Sequence, residues 1–468
     1  MKQIRISIRF RKEKFCLLSS MVISVIVRSI PEAIFPYPIG FDTPLYFVMG
    51  KRWVQQPLPF PLLIALIGTL YVMGVDLVLV MKFLPVLLYG LLGFASFIFA
   101  RKYLIWDDFN SLLASLSLSL SIAMLRMSWD MHKLTLGIAL MLLSLSFWKC
   151  MKDVKGKILF SILSLLTMIS HEIIVVTYVI ILAFFALRKS EGRILTLVIL
   201  SAGILCFFGA WYSSRLENVF GWVSTIFMSA PFSGFTHELY ASGFLIMKLY
   251  LLTLPISIIG LFRDDVTTIW TAFYLLGSLS TMLFPSFLLG GVLPWRYILL
   301  LTVPLSIYAA KGSSILSEKI KFGRKSLWAL ILILLVNFPS YPFLTALGVL
   351  ETYKHEGIMP EHMAQTSIPL YDIEPTINLL SKVEGGALIV YGNFIGWAKY
   401  YTDAEVIGFG GTYGVAPSLK QALNLIENKT RVYLLFWNDA VAEELGFRIL
   451  AIEGNLRLYE YVGDERDE

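Results

Sequence analysis

The chain is written as long apolar runs cut by short charged clusters. Runs of about 16–24 apolar residues match the length a helix needs to cross a bilayer. They predict about eleven spans, near 15–30, 77–100, 109–125, 134–149, 158–170, 172–187, 194–212, 244–262, 267–290, 293–311 and 327–347. One further run, 59–75, is short, opens Pro57-Leu-Pro-Phe-Pro61 and ends near Gly74 and Asp76. It reads as a re-entrant or juxtamembrane helix. After about residue 350 the texture changes. Gly386 to Tyr391, Arg431 to Trp437, Arg448 to Ile452 and Leu456 to Val462 read as strands, and Pro417 to Glu427 and Ala440 to Leu445 as helices. The fold class expected is a polytopic α-helical membrane protein with a small C-terminal α/β domain. The multi-span part covers 1–349 and the soluble part 350–468.

Composition agrees with that pattern. Of 468 residues, 57% are hydrophobic and only 15% charged, and the mean hydropathy of +0.72 lies far above that of a soluble domain. The formal charge of +6 sits mostly in short loops between spans, so it reports orientation and does not indicate a nucleic-acid partner. Lys2, Arg5, Arg9, Arg11, Lys12 and Lys14 place the N-terminus in the cytoplasm. Lys149 to Lys157, Arg188 to Arg193 and Lys311 to Lys325 fall on the same side. An odd number of spans then puts the C-terminal domain outside the cytoplasm. Cys16, Cys150 and Cys206 are far apart in apolar surroundings, which suits packing and not a disulfide framework. The first run lacks a small-residue cleavage site and is interrupted by Arg28, so it reads as an anchor more than as a signal peptide.

The same orientation gathers the unusual polar residues on the outer face. Asp42 lies in Pro36-Tyr-Pro-Ile-Gly-Phe-Asp42-Thr-Pro-Leu-Tyr46, a proline-bounded aromatic loop just beyond the first span. Its plain structural reading is a helix N-cap. Its chemical reading is a general base or metal ligand made more basic by lost solvation. Asp130, in Trp129-Asp130-Met-His132-Lys133, pairs with Arg126 or Lys133 on the plain reading, or shares a cavity with Asp42 on the other. His171 and Glu172 interrupt an apolar stretch and need partners or water. Trp295 and Arg296 open a late span, where Arg can clasp a phosphate or serve as an interfacial anchor. His237 and Glu238 read as solvated loop residues. Gly408-Phe-Gly-Gly411 reads as a glycine turn, without the Lys-Ser/Thr of a phosphate loop. Asn428-Lys-Thr430 is a glycosylation sequon pattern.

This arrangement resembles the GT-C class of membrane glycosyltransferases, which includes protein O-mannosyltransferases and lipid A aminoarabinose transferases. The likeness rests on the first-loop acid in Gly40-Phe-Asp42-Thr-Pro-Leu-Tyr46 and on the proline-rich stretch Gln56-Pro-Leu-Pro-Phe-Pro-Leu62. It rests further on the second acid in Trp129-Asp130 and on the C-terminal domain. Two features depart from the class: Gln56-Pro57-Leu58-Pro59 stands where His-Pro-Pro is usual, and the Asp-Glu pair of the mannosyltransferases is absent. The resemblance implies transfer of a sugar from an isoprenoid-phosphate donor to a glycan, lipid or protein acceptor at the external membrane face. Asp42 and Asp130 would be catalytic, Asp42 activating the acceptor. Arg296, His171 and Lys133 would hold the donor phosphate, and Tyr46, Glu172, His132 and Trp295 would contact substrate. A divalent cation, Mg or Mn, would fall to Asp42 and Asp130 if one is used. Two other classes stay open: a surface-glycan polymerase or ligase, and a non-enzymatic transporter or scaffold.

Overall fold

The computed structural model describes residues 2–34, 36–55, 61–188, 192–205, 235–283, 294–321, 323–337, 367–411, 414–426, 431–437 and 440–463. Gln56 to Phe60 of the proline-rich stretch, Gly290 to Leu293 and the sequon Asn428-Lys-Thr430 lie outside the described residues. So do the side chains of His237, Glu238 and Trp295. Contacts divide the chain into two compact units. One comprises Met1–Ile34, Leu58–Leu63 and Phe83–Met359; the other comprises Phe35–Pro57, Ile64–Lys82 and Pro360–Glu468.

The first unit is helical. Among the described residues, Leu77–Tyr103 and Arg296–Lys319 are long and apolar enough to cross a bilayer. A third crossing is made if Asp108–Ser119 and Ile122–Asp130, bent by 58°, count as one. Shorter apolar helices His132–Trp148, Arg193–Leu205 and Lys325–Asn337 overlap the expected spans 134–149, 194–212 and 327–347, so the described residues support two or three crossings by length and composition. The expected span 244–262 is broken between helices Phe235–Tyr250 and Thr253–Ile259.

A serine-rich helix, Asp108–Ser119, holds this unit together. Ser115 donates to the Gly93 carbonyl at 2.8 Å, Ser24 and Ser119 share a hydroxyl bond at 2.6 Å, and Ser306 donates to the Ser117 carbonyl at 3.3 Å. Small hydroxyl residues let three neighbouring helices approach closely and satisfy polar groups in an apolar setting. The bend at Leu120 frees backbone groups, and Tyr89 donates to the Ser119 carbonyl at 2.8 Å, while beside it the Ser121 and Thr302 hydroxyls bond each other at 2.7 Å.

Helices His132–Trp148, Val154–Met168 and Glu172–Arg188 form a zigzag. At one end, a Cβ on Gly137 would meet Ser170 and Ile174. In the middle, Ser164 bonds Ser144 at 2.9 Å and Tyr178 at 2.6 Å. At the other end the Trp148 ring packs on Phe160 and Phe185. This ladder fixes Asp130 to His132 and Ser170 to Glu172 at one end, with Lys149 to Lys157, Arg188 and Arg193 at the other.

The second unit contains a five-stranded sheet of order β2-β1-β3-β5-β4, with β1 Ala387–Tyr391, β2 Glu405–Phe409, β3 Val432–Trp437, β4 Phe447–Glu453 and β5 Leu456–Tyr461. β1 is parallel to β2 and β3, whereas β5 is antiparallel to β3 and β4. The four strands read from the sequence are present. β2 escaped that reading because it is a short edge strand, half exposed, that runs into glycines. Gly410 and Gly411, with φ of 54° and 59°, form a turn whose Gly410 amide donates to the Ala416 carbonyl at 2.9 Å. The glycine-turn reading of 408–411 therefore describes Gly410 and Gly411.

Candidate functional site

The polar end of the first unit starts from a broken helix. Ile122–Asp130 stops at Met131, whose ψ of 54° is not helical, and His132–Trp148 begins at the next residue. The break exposes the Ser128 carbonyl, and Arg28 of the first helix donates to it through Nε and Nη2, each at 3.4 Å. A cation at the C-terminal end of a helix also meets the negative pole of its dipole. Nη2 further binds Glu32 at 2.8 Å, one turn on, and both side chains are buried. Arg126 pairs with Asp130 one turn apart, again buried, beside the Trp129 ring at 6.0 Å. The Arg28 charge is felt at His132, itself 1% exposed. Two cations, two carboxylates and an imidazole thus share one nearly dry region, where each charge depends on its partner. Arg28 Nη1 is buried and has no hydrogen-bond partner among the described residues.

A second group adjoins this one. His171 precedes helix Glu172–Arg188, and its Nδ1 accepts the Ile173 amide at 3.2 Å, capping the first turn. Glu172 Oε2 lies 3.7 Å from the same nitrogen. The charges of Lys133 and Arg296 both act on His171, so Lys133, His171, Glu172 and Arg296 share one electrostatic neighbourhood. Arg296 belongs to the short helix Pro294–Leu300, whose last carbonyls are held by Tyr250, which donates to Ile298 at 2.8 Å. The amide of Leu62 donates to the Ile169 carbonyl at 2.7 Å, at the break before His171.

Asp42 and Tyr46 belong to the second unit. Gly40, at φ 134°, takes a backbone angle that a side chain would strain. It turns the chain into helix Thr43–Gln55. The Asp42 carbonyl accepts from Leu45 and Tyr46 at 3.0 and 3.2 Å, and Thr43 donates back to Ile39 at 3.0 Å. Asp42 is half-buried, whereas Tyr46 is 3% exposed and faces the core. The loop and helix rest on Ile395–Tyr401, the helix after β1: Phe47 packs on Trp397 and Tyr400 at 6.0 and 4.8 Å. Lys51 donates to the Tyr400 carbonyl at 2.7 Å and lies 4.5 Å from its ring centre. The Tyr400 hydroxyl reaches Asp76 at 3.4 Å. Burial, with the Asp76 carboxylate next in importance, pushes that hydroxyl's pKa up. Burial, then Tyr37 and Asp76, push Tyr401 up to about 12.

No protein-family model matches the sequence, and no curated protein is similar to it. Its structure, however, superposes on that of ArnT from Cupriavidus metallidurans bound to undecaprenyl phosphate. The two share 11% identity with a TM-score of 0.54, over 96% of this chain and 98% of that one. The chain has the GT-C fold. The Archaeoglobus fulgidus oligosaccharyltransferase, solved with Zn and sulfate, matches 90% of this chain and 67% of its own at 14% identity, with a TM-score of 0.49. Within the GT-C fold the sequence singled out Asp130, His132, Lys133, His171, Glu172 and Arg296, which the first unit holds at one end. Arg28 and Glu32 were missed as site residues. Their signal was an Arg inside the first apolar run with an acid four residues later, the spacing of one helical turn.

Among the described residues, no three His, Cys, Asp or Glu side chains gather around a common point. Asp130 is already engaged by Arg126.

Proposed function

We propose that the protein is a glycosyltransferase that moves a sugar from a polyprenyl-phosphate donor to an acceptor hydroxyl at the extracytoplasmic membrane face. The observation that carries this reading is the end-to-end likeness to a transferase structure holding undecaprenyl phosphate. It is supported by the positive charges of Lys133 and Arg296, both of which act on His171.

In this reading the chain crosses the membrane about eleven times, with its N-terminus in the cytoplasm and Asp42, Asp130, His171 and Arg296 all on the extracytoplasmic side. The acceptor oxygen attacks the anomeric carbon while the bond from that carbon to the phosphate oxygen breaks. The hydroxyl proton passes to the Asp42 carboxylate, and the polyprenyl phosphate leaves with the bonding electrons. Arg296, Lys133 and His171 stabilise the charge on the departing phosphate, where fixed cations in a dry site act most strongly. Asp130, held by Arg126, and Trp295, His132, Glu172 and Tyr46 are assigned to the substrates on the sequence resemblance alone. Direct displacement inverts the anomeric carbon.

The test is sugar transfer in liposomes by the wild type and Asp42→Asn, using radiolabelled polyprenyl-phosphate sugars. Wild-type transfer and a loss of about 100-fold or more in the variant are expected. Equal rates would remove Asp42 from the mechanism. No transfer by the wild type from any donor would leave the transporter or scaffold reading.

A further inference from the structure

At the end of helix His132–Trp148 opposite His132 lies a groove of about 1120 Å³. The helix has 17 residues, a rise of about 25 Å, so this groove and the polar end are roughly a bilayer core apart. Lys149, Lys152, Lys157 and Arg193 line it, and no lining residue is acidic among the described residues. The nearby carboxylate of Asp153 is occupied in capping the Gly156 amide.

The groove is a built feature. The π-helical turn Phe99–Tyr103 ends the preceding long helix, and Lys149 donates to the Tyr103 carbonyl and lies over its ring, fixing one cation at the back. Gly192, at φ 70°, turns the chain so closely onto Met151 that a Cβ would overlap the Met151 side chain. That contact brings Arg193 against the turn carrying Lys152. Trp148, packed on Phe160 and Phe185, forms a rigid wall.

Its other half is apolar and exposed. Ile158 and Ile162 are 53% and 50% exposed on one helix, and Ile194 and Val198 are 81% and 59% exposed on its neighbour. Each pair is spaced i, i+4, so two parallel apolar stripes descend from the cationic rim. Positive residues at a membrane surface can serve topology alone, but that role needs only their presence in the loop. Convergence above two apolar stripes is a further property, and it matches an amphiphile with an anionic head.

We propose that this groove binds an anionic glycerophospholipid. Its phosphate is held by Lys152, Lys157 and Arg193, and its acyl chains lie along Ile158, Ile162, Ile194 and Val198. Basic pockets between membrane helices suit such headgroups, and the positive-inside rule assigns this end to the cytoplasmic leaflet. A soluble phosphate would leave the apolar stripes unused. The inference is independent of the proposed transfer reaction, because it is read by binding alone.

The test uses full-length protein in detergent, with lipid retention followed by native mass spectrometry and thermal unfolding. Dioleoyl phosphatidylglycerol is expected to raise Tm and be retained, whereas dioleoyl phosphatidylcholine is not. Lys152→Gln/Lys157→Gln/Arg193→Gln should lose retention about tenfold or more, and the charge-preserving Lys152→Arg/Lys157→Arg/Arg193→Lys should keep it. If the neutral triple variant fails to fold, the single Lys157→Gln supplies the comparison, with a partial loss expected. Equal retention by wild type and the charge-removed variant would overturn the proposal. So would full competition by glycerol 3-phosphate, or displacement of phosphatidylglycerol by substoichiometric polyprenyl phosphate.

Discussion

The Arg28 guanidinium donates to the Ser128 carbonyl at 3.4 Å, across one hundred positions of sequence. One side chain of the first helix thereby satisfies the end of the broken helix that carries Asp130. Its charge is balanced by Glu32 at 2.8 Å, with both groups buried.

Removing either member takes from the other its buried salt-bridge partner. Arg28→Ala is expected to destabilise the protein by roughly 3–5 kcal/mol. In a double-mutant cycle, Arg28→Ala/Glu32→Ala should cost less than the sum of the singles by about 1–3 kcal/mol. Thermal unfolding in detergent reads both; strict additivity would mean that the pair is not coupled.

Asp42 and Asp130 should separate stability from activity. The bonds that start helix Thr43–Gln55 use the Asp42 backbone carbonyl, and Asn serves as well as Asp beside a helix start. Asp42→Asn should therefore keep stability within about 1 kcal/mol while losing transfer. Asp130→Asn should instead lower stability by about 3 kcal/mol or more, because Arg126 would keep its charge in a buried place. Tm beside transfer rate for both variants tests this, and a stable Asp130→Asn would contradict it.

Gly396 marks the closest approach of helix Ile395–Tyr401 to the Asp42 segment. A Cβ there would lie 2.6 Å from the Pro44 Cβ and 3.0 Å from its carbonyl carbon. Gly396→Ala should cost about 1–3 kcal/mol by overpacking. Gly243, with nothing within 4 Å of its Cβ position, supplies the control: Gly243→Ala in a helix should leave Tm unchanged or raise it. Equal melting of the two variants would show that the Pro44 contact yields freely.

Tyr401 gives a pH signature. Burial, followed by Tyr37 and Asp76, raises its hydroxyl from 10.0 to about 12 in the folded state. The folded protein then holds a proton that the unfolded chain releases, so this stabilisation is complete below about pH 10 and is lost as pH rises toward 12. Tm measured against pH should fall across that window, and Tyr401→Phe should flatten part of the fall. Identical profiles for both proteins would rule the contribution out.

The GT-C fold was legible because its signals are local. Apolar length marks helices, loop charge marks their ends, and the strands β1, β3, β4 and β5 show as apolar or alternating runs. The end of the helical zigzag that gathers Lys133, His171, Glu172 and Arg296 also follows, since helix lengths and short turns fix which ends meet. The bend at Leu120 was not legible: Ser-Leu alternation continues through it, and the Ser119 carbonyl finds its partner in Tyr89 of another helix.

By itself the sequence determined a membrane protein of short-looped helices with a C-terminal sheet, an acid beyond the first span and cations clustered at helix ends. Tertiary structure alone decided that Arg28 and Glu32 join the polar end of the helical unit. It also decided that the Asp42 segment builds on helix Ile395–Tyr401, with Lys51 bonded 349 positions away at Tyr400. The physical reason is that periodicity encodes which face of an element is apolar, while partner choice depends on shape and on buried groups finding complementary charges or donors. Those are properties of the assembled packing and not of any one stretch of chain.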